Sequence, residues 1–445
     1  MKKYFSYIKA LLLAVCLPLF TACYNKESRE EILKVYNWAD YIDEQVLMDF
    51  PKWYEQQTGK KIRIIYQTFD INEIMLTKIE RGHEDFDVVC PSEYIIERML
   101  KKDLLQPIDT NFAGENYLNN QSPYIRQQLD ELSSGNKRAS RYAVGYMWGT
   151  AGILYNKKYV TPEEASTWES LWNSKFKGKL LMKDSYRDAY GTALIYANRK
   201  QLLQGELKVK DLMNNYSPEA IRQVEDNLKS MKPNIAGWEA DFGKEMMTKG
   251  KAYLNMTWSG DAVWAIDEAQ AVGVDLGYEV PREGSNVWYD GWVIPKYAKN
   301  PEAARYFINY LCQPEVAIAN MEATGYVSAV ATPEVLEAQT DPEIKETYNL
   351  AYFFGPEARR VHINPIQYPD SSVVARCAMI HDSGEHTEAV LEMWSHVKGD
   401  NLGGGVVIII LATVGAFVVY AVSKRIKRYN HNKRTRKRKR RKAVR

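Results

Sequence analysis

The segment Ile32-Leu-Lys-Val-Tyr-Asn-Trp-Ala-Asp-Tyr41 changes character at its midpoint. Residues 32–36 have the apolar, partly β-branched content of a buried strand. Residues 37–41 then crowd an amide, an indole, a carboxylate and a phenol together. The same alternation recurs downstream. Asp43 offers a helix N-cap, Pro51 is expected to kink or restart that helix, and Gly59 closes it. Ile62, Ile64 and Tyr66 alternate with mostly polar neighbours, which predicts a second strand over 61–68. Asn72 can cap a helix that runs to about Gly82. Residues 86–90 read as a third short strand stopped by Pro91, and 94–102 fit a further helix. Strand, helix, strand, helix, strand at this spacing predicts an α/β unit with a largely parallel sheet. Ligands in such sheets bind beyond the C-terminal ends of strands. This chain has Asn37 to Tyr41 and Pro91-Ser-Glu-Tyr94 at those ends. Asn, Asp and Ser also cap helices where no ligand binds, so capping and binding stand level for Ser92.

Between Tyr142 and Asn156 the chain is rich in glycine and aromatics, and Gly145, Gly149 and Gly152 predict a bend or crossover instead of a domain interior. A second unit begins near Tyr159 and continues through Asp184-Ser-Tyr-Arg-Asp188 and helical segments to about Gly250. Strands are expected over 252–256 and 288–295, and helices over 301–311 and 385–398. Two motifs lie in this part: Asn255-Met-Thr-Trp-Ser-Gly-Asp261 and Trp288-Tyr-Asp290. Each sets an indole and a carboxylate within three positions. That pairing suits an organic cation, because the ring accepts the ammonium face and alkyl chain while the acid neutralises the charge. A Trp near an Asp is more commonly a core aromatic beside a solvated acid. One motif alone therefore decides nothing, and two shift the balance.

The chain has 445 residues, 45% of them apolar, enough to bury a full core over two or three structural units. Its net charge of +3 is segregated. Fourteen Lys and Arg, and no acid, fall in residues 424–445, so the rest carries −11, and −14 without Lys2, Lys3 and Lys9. An acidic body repels nucleic acid and raises the local concentration of cations. At the N-terminus Lys2, Lys3, an apolar run over 10–20 and Thr21-Ala22-Cys23 read as an export signal. Its small residues before a cysteine predict lipidation of Cys23, with ordinary cleavage as the alternative. Cys90, Cys312 and Cys377 remain, an odd number that allows at most one internal disulfide. Residues 401–423 carry no charge, and 403–422 are long enough to span a bilayer. The basic residues after them would stay in the cytoplasm. These ends predict a body at the periplasmic face of the cytoplasmic membrane, anchored to it twice.

Enzyme chemistry has no foothold in the sequence. His83, His362, His381, His386, His396 and His431 are scattered, and the five-residue step from His381 to His386 puts no two ligands on one helical face. There is no Gly-x-Ser-x-Gly elbow, phosphate-binding glycine loop or Cys pair at metal spacing. Carboxylates are plentiful enough that composition alone leaves a glycosidase open. The expectation is a non-enzymatic protein without metal or cofactor.

A family resemblance rests on Tyr36-Asn-Trp-Ala-Asp-Tyr41, Tyr66-Gln-Thr-Phe, Pro91-Ser-Glu-Tyr94, Thr167-Trp-Glu-Ser-Leu-Trp172, Phe176-Lys-Gly, Trp258-Ser-Gly-Asp261, Trp288-Tyr-Asp290 and Thr324-Gly-Tyr326. In this order over about 33–398 they resemble the periplasmic spermidine/putrescine-binding proteins of polyamine ABC transporters, which have the type II periplasmic-binding-protein fold. The resemblance implies an α/β architecture of two lobes with the ligand in the cleft between them. One lobe would comprise 32–142 and 286–335, and the other 143–285 and 336–400. A tether over 23–31 would precede them, and a C-terminal transmembrane helix over 401–423 lies outside the resemblance. It further implies that Trp38, Tyr41, Tyr94, Trp258, Trp288 and Tyr326 line the methylene chain, that Asp40, Asp188, Asp261 and Asp290 meet ammonium groups, and that Ser92 assists. Asp188 follows Arg187 and has a protein cation as a competing partner. Ser185 and Ile380 depart from the spermidine-preferring pattern, whereas Asp40 and Gly260-Asp261 look like putrescine-preferring members. The implied partners are a polyamine, the permease subunits and the membrane. The alternatives are another organic cation or amino acid as ligand, or a membrane-anchored sensor.

Overall fold

The computed structural model describes residues 28–240 and 242–399. The N-terminal part alternates as the apolar pattern requires. Strand β1 (Ile32–Trp38) leads to α1 (Glu44–Thr58), then β2 (Arg63–Phe69), α2 (Asn72–Glu80), β3 (Val88–Val89) and α3 (Glu93–Lys101). The Asp43 carboxylate accepts from the Gln45 amide to cap α1, and Gly59 ends it in the left-handed region at φ 70°. Contrary to expectation, α1 runs unbroken through Pro51. The missing amide bond and ring clash cost about 3 kcal/mol. Phe50 and Tyr54 offset this by packing at 5.1 Å and 5.6 Å on Phe307 and Tyr306, since burying each aromatic is worth roughly 1.5–3 kcal/mol.

A long strand, β4 (Ala143–Asn156), then leaves this unit. Beyond it come β5 (Leu180–Lys183), α4 (Tyr186–Ala197), β6 (Ile235–Glu239), β7 (Leu254–Trp258), α5 (Ser259–Ala271) and β8 (Leu276–Glu279). A second long strand, β9 (Ser285–Pro295), returns to the first unit, followed by α6 (Pro301–Leu311) and α7 (Pro314–Thr324). The sheet order is β2-β1-β3-β9-β4-β7-β5-β6, with β8 also paired to β4. Pairing is parallel at β2-β1-β3 and at β7-β5-β6, and antiparallel along β9-β4 and at both its junctions. Two parallel α/β lobes are thus joined by two antiparallel crossing strands, 14 and 11 residues long and buried throughout. The glycines of β4 serve this crossover, and the strand is continuous from Ala143 to Asn156, with a bulge against β9 at Tyr146. A side chain at Gly149 would strike the indole of Trp288 on β9, its Cβ only 2.8 Å from the ring.

Helix α8 (Thr387–Gly399) buries Val390, Met393 and Val397 at helical spacing. The expected architecture is corrected in one respect. No helix among the described residues is long and apolar enough to cross a membrane. The stretch 403–422, which hydropathy alone marked as a span, lies outside the described residues, and the described fold is two lobes with no membrane-spanning helix among them. The export signal and Cys23 also lie outside them. Cys90, Cys312 and Cys377 are free thiols, with Cys90 and Cys312 buried.

Candidate functional site

The C-terminal ends of β1 and β3 and the middle of β9 meet at Asp290. Its carboxylate accepts from the Tyr41 hydroxyl at 2.8 Å and from the Ser92 hydroxyl at 2.7 Å. Ser92 stands at the N-cap of α3, yet its side chain makes no capping bond. The hydroxyl donates to Asp290 instead of capping the helix. β9 pairs with β4 out of register between Asp290 and Gly291, and such a bulge re-aims side chains. Asp290 is 7% exposed. Burial pushes its pKa up to about 6, against the two hydroxyl bonds. No cation of the chain touches this carboxylate among the described residues.

Aromatic rings pack together beside it. Tyr326 packs edge-on against Tyr41 at 5.4 Å and against Trp288 at 5.5 Å, and Tyr41 leans on Tyr146 at 5.5 Å. Gly260 makes this possible, because a Cβ there would lie 2.4 Å from the Tyr326 ring. Trp288 alternates with Asn286 and Asp290 on one face of β9. The Asn286 amide donates to Asp188 at 3.2 Å. Asp188 opens α4 and is buried. Burial raises its pKa, against hydrogen bonds from Ser185, Asn286 and the Trp258 indole and the more distant charge of Lys183. Asp290 and Asp188 are thus two buried acids whose hydrogen-bond donors are neutral, and Trp288 lies between Asp290 and the Asn286 that bonds Asp188.

Arg187, the competing partner that sequence offered for Asp188, does not pair with it. Arg187 turns the other way. Its guanidinium stacks over the Tyr94 ring at 3.3 Å and donates to Glu73 on α2 at 3.0 Å. Tyr186 joins it on Glu73 at 3.2 Å, so α4 of one lobe is tied to α2 and α3 of the other. Tyr94 also accepts from Asn72 at 2.8 Å, and Asn72 donates to Ser92 at 3.0 Å. Asn72 was expected to cap α2, but it is the helix's first residue and its amide supports the site.

Asp261 has the internal partners. Its carboxylate accepts from the Lys183 ammonium at 2.7 Å and the Tyr326 hydroxyl at 2.9 Å, with Lys244 at 3.4 Å. Burial alone would raise its pKa, but Lys183 and Lys244 bring it below the usual range. Trp258 is half-buried and has Lys183 over its ring at 4.4 Å. Trp38 is half-buried, packed on Phe69 at 4.6 Å. Asp40 is exposed, in the left-handed region at φ 50°. Among the described residues no hydrogen bond or ion pair reaches its carboxylate. Thus Tyr41, Ser92, Asp290, Trp288 and Tyr326 come together directly, Asp188 and Trp258 adjoin them, and Asp40 stays apart. Tyr94 connects to them through Asn72.

The residues that sequence reasoning missed are Asn72, Glu73, Tyr146, Lys183, Arg187 and Asn286. For Lys183 a signal existed. It ends the apolar strand Leu180–Lys183, and strand C-terminal ends are where ligands bind in such sheets. No metal-binding cluster of His, Cys, Asp and Glu occurs among the described residues. His381 contacts Glu97 at 3.2 Å instead.

Residues 52–351 match the model of the family described as bacterial extracellular solute-binding protein. This chain belongs to that family. The solute-binding protein is 30% identical over 315 residues to the spermidine/putrescine-binding periplasmic protein of Escherichia coli strain K12, covering 69% of this chain and 82% of the relative. It is 28% identical over 332 residues to the putrescine-binding periplasmic protein PotF of the same strain, covering 71% and 84%. Among solved structures it resembles the spermidine/putrescine ABC transporter substrate-binding protein PotD of Streptococcus pneumoniae, with 29% identity, a TM-score of 0.61 and coverage of 83% and 100%. Family membership makes this a binding protein, not an enzyme, and one that acts outside the cytoplasm.

Proposed function

We propose that this solute-binding protein captures a polyamine in the slot beside Trp288 and delivers it to the permease of an ABC transporter. The reading is carried by Asp188 and Asp290, two buried acids that take hydrogen bonds from neutral groups only. A buried carboxylate is tolerated when a cation completes it, and the cation in direct contact with each would come from the ligand, Lys183 acting on Asp188 only through its more distant charge. The aromatic rings between them would cover the methylenes and face the ammonium groups. Spacing supports a short diamine. Five single bonds of about 1.5 Å in a zigzag separate the nitrogens of a four-carbon diamine by about 6 Å. One charged hydrogen bond of about 2.8 Å at each end brings the reach to about 12 Å. Asn286, which holds Asp188, and Asp290 are four residues apart on β9, roughly 13 Å along the strand. The sequence-derived set of Trp38, Tyr41, Ser92, Tyr94, Asp188, Trp258, Trp288, Asp290 and Tyr326 is retained for the ligand, with Asp188 and Asp290 as its principal acids.

Ligand entry would separate the lobes and capture would close them by hinge motion in β4 and β9. Titration of the full chain with putrescine and spermidine in a calorimeter tests the reading, and neither heat nor thermal shift with either amine would sink it. The body would be held at the membrane by lipid on Cys23. A Cys23→Ser chain that still partitions wholly into the detergent phase on metabolic labelling without lipid would reject that anchor.

A further inference from the structure

Lys183 is 1% exposed, at the C-terminal end of β5, where its ammonium is fully engaged. It donates to Asp261 at 2.7 Å and to the Ala240 carbonyl at 2.8 Å, and lies 3.2 Å from Glu239. It sits 4.4 Å above the Trp258 ring. A carboxylate, a second carboxylate, a carbonyl and an indole face surrounding one ammonium are the environment that the slot would offer to the end of a polyamine. Here the chain's own side chain fills it. The place is contiguous with the slot. Trp258 bonds Asp188 on one side, and Asp261 bonds Tyr326, which packs on Trp288.

We infer that Lys183 is a specificity-determining residue, a tethered ammonium that occupies the Asp261–Trp258 subsite and so restricts the slot to amines whose charges are met by Asp188 and Asp290 alone. The inference rests on the polyamine reading above. A longer triamine reaching past Trp258 meets a cation where it needs an acid, and like charges at that distance repel in a buried site. Lys244, 3.4 Å from the same carboxylate, adds to the repulsion. Asp261, which by sequence pairs with Trp258 as a ligand acid, serves the protein instead.

The test is competition between a four-carbon diamine and a triamine on the full chain, with both dissociation constants measured by calorimetry. The wild-type protein should favour the diamine. Lys183→Met, which keeps the length of the side chain without its charge, should shift the ratio of the two constants at least tenfold towards the triamine. Lys183→Arg should leave the ratio within about threefold. Lys183→Met with Asp261→Asn removes the acid that the triamine gained and should restore the wild-type ratio. Lys183→Gln, which retains donors for Asp261 and Ala240, carries the same comparison should Lys183→Met not fold. A ratio unchanged in the neutral variants, with both amines weakened alike, overturns the inference and leaves Lys183 a structural ion pair. Absence of binding by the wild-type protein to either amine is the separate failure of the polyamine reading.

Discussion

Asp290→Asn should stabilise the empty protein while disabling it. Burial lifts the Asp290 pKa from 3.8 to about 6, so ionising this carboxyl is harder in the folded chain than in the unfolded one. Between pH 3.8 and about 6 the folded state holds the extra proton, and stability falls as pH rises through that window. Below it the cost is absent, and above it the full cost is present. At about 1.4 kcal/mol per pH unit the difference comes to about 3 kcal/mol. Asparagine has the same shape and no charge to desolvate. With an unfolding entropy of about 2.1 cal/mol/K per residue, a body of roughly 370 residues loses about 0.8 kcal/mol per degree near its melting point. The variant should therefore melt about 4 °C higher than wild type at pH 8 without ligand, and the two should converge by pH 4. Amine affinity should move the other way. Removing one partner of a buried charge pair costs about 2–5 kcal/mol, or roughly 30-fold to several thousandfold in Kd. Scanning calorimetry over pH 4–8 and titration at pH 8 provide the readouts. A variant less stable than wild type at pH 8, or a difference that does not depend on pH, would refute the assignment of Asp290 as a buried acid awaiting a cation.

Three further substitutions probe the walls and the tie between lobes. Trp288→Ala removes the ring between the two acids and should weaken amine binding roughly 5- to 150-fold, at about 1–3 kcal/mol for the lost aromatic cover; loss of less than twofold in a titration would exclude the ring from the slot. Gly260→Ala puts a methyl group into the Tyr326 ring, and should raise Kd at least tenfold by displacing Tyr326 from Trp288 and Asp261, whereas Gly260→Ala with Tyr326→Ala should show no added loss over Tyr326→Ala alone. Arg187→Met deletes the bond to Glu73 and the stack on Tyr94; amides of α2 should exchange hydrogen faster in the ligand-free variant than in wild type, and equal exchange would show that this contact does not hold the lobes together.

What the sequence disclosed and what it concealed separate along the line between local and long-range physics. β1, β2, the cap at Asp43 and the stop at Gly59 were legible because apolar period and turn chemistry act within a few residues. Pro51 was misjudged because the penalty is local but the compensation comes from Phe307 and Tyr306, some 250 residues away. The aromatic candidates of the site came from the family resemblance, because a Trp near an Asp is by itself more commonly a core aromatic. Its charges were harder. Asp188 lies beside Arg187 in sequence, yet on a helix consecutive side chains diverge by about 100°, so adjacency predicted a pair that the fold separates. Asp261 carried no cation nearby in sequence, and its partner Lys183 arrives from the neighbouring strand β5, 78 positions earlier. Charge neutralisation in a buried site is a property of the sheet order, here β7 beside β5, and sequence spacing does not contain it. The four acids thus look equivalent in the chain but are chemically distinct in the fold. Asp40 is solvated, Asp261 is in contact with Lys183, Asp188 has only neutral hydrogen-bond donors but feels the Lys183 charge, and Asp290 has neutral donors alone. On the polyamine proposal a cationic ligand gains most at a buried acid that no ammonium or guanidinium of the protein contacts, which is why Asp188 and Asp290 are proposed as the ligand's partners ahead of Asp261.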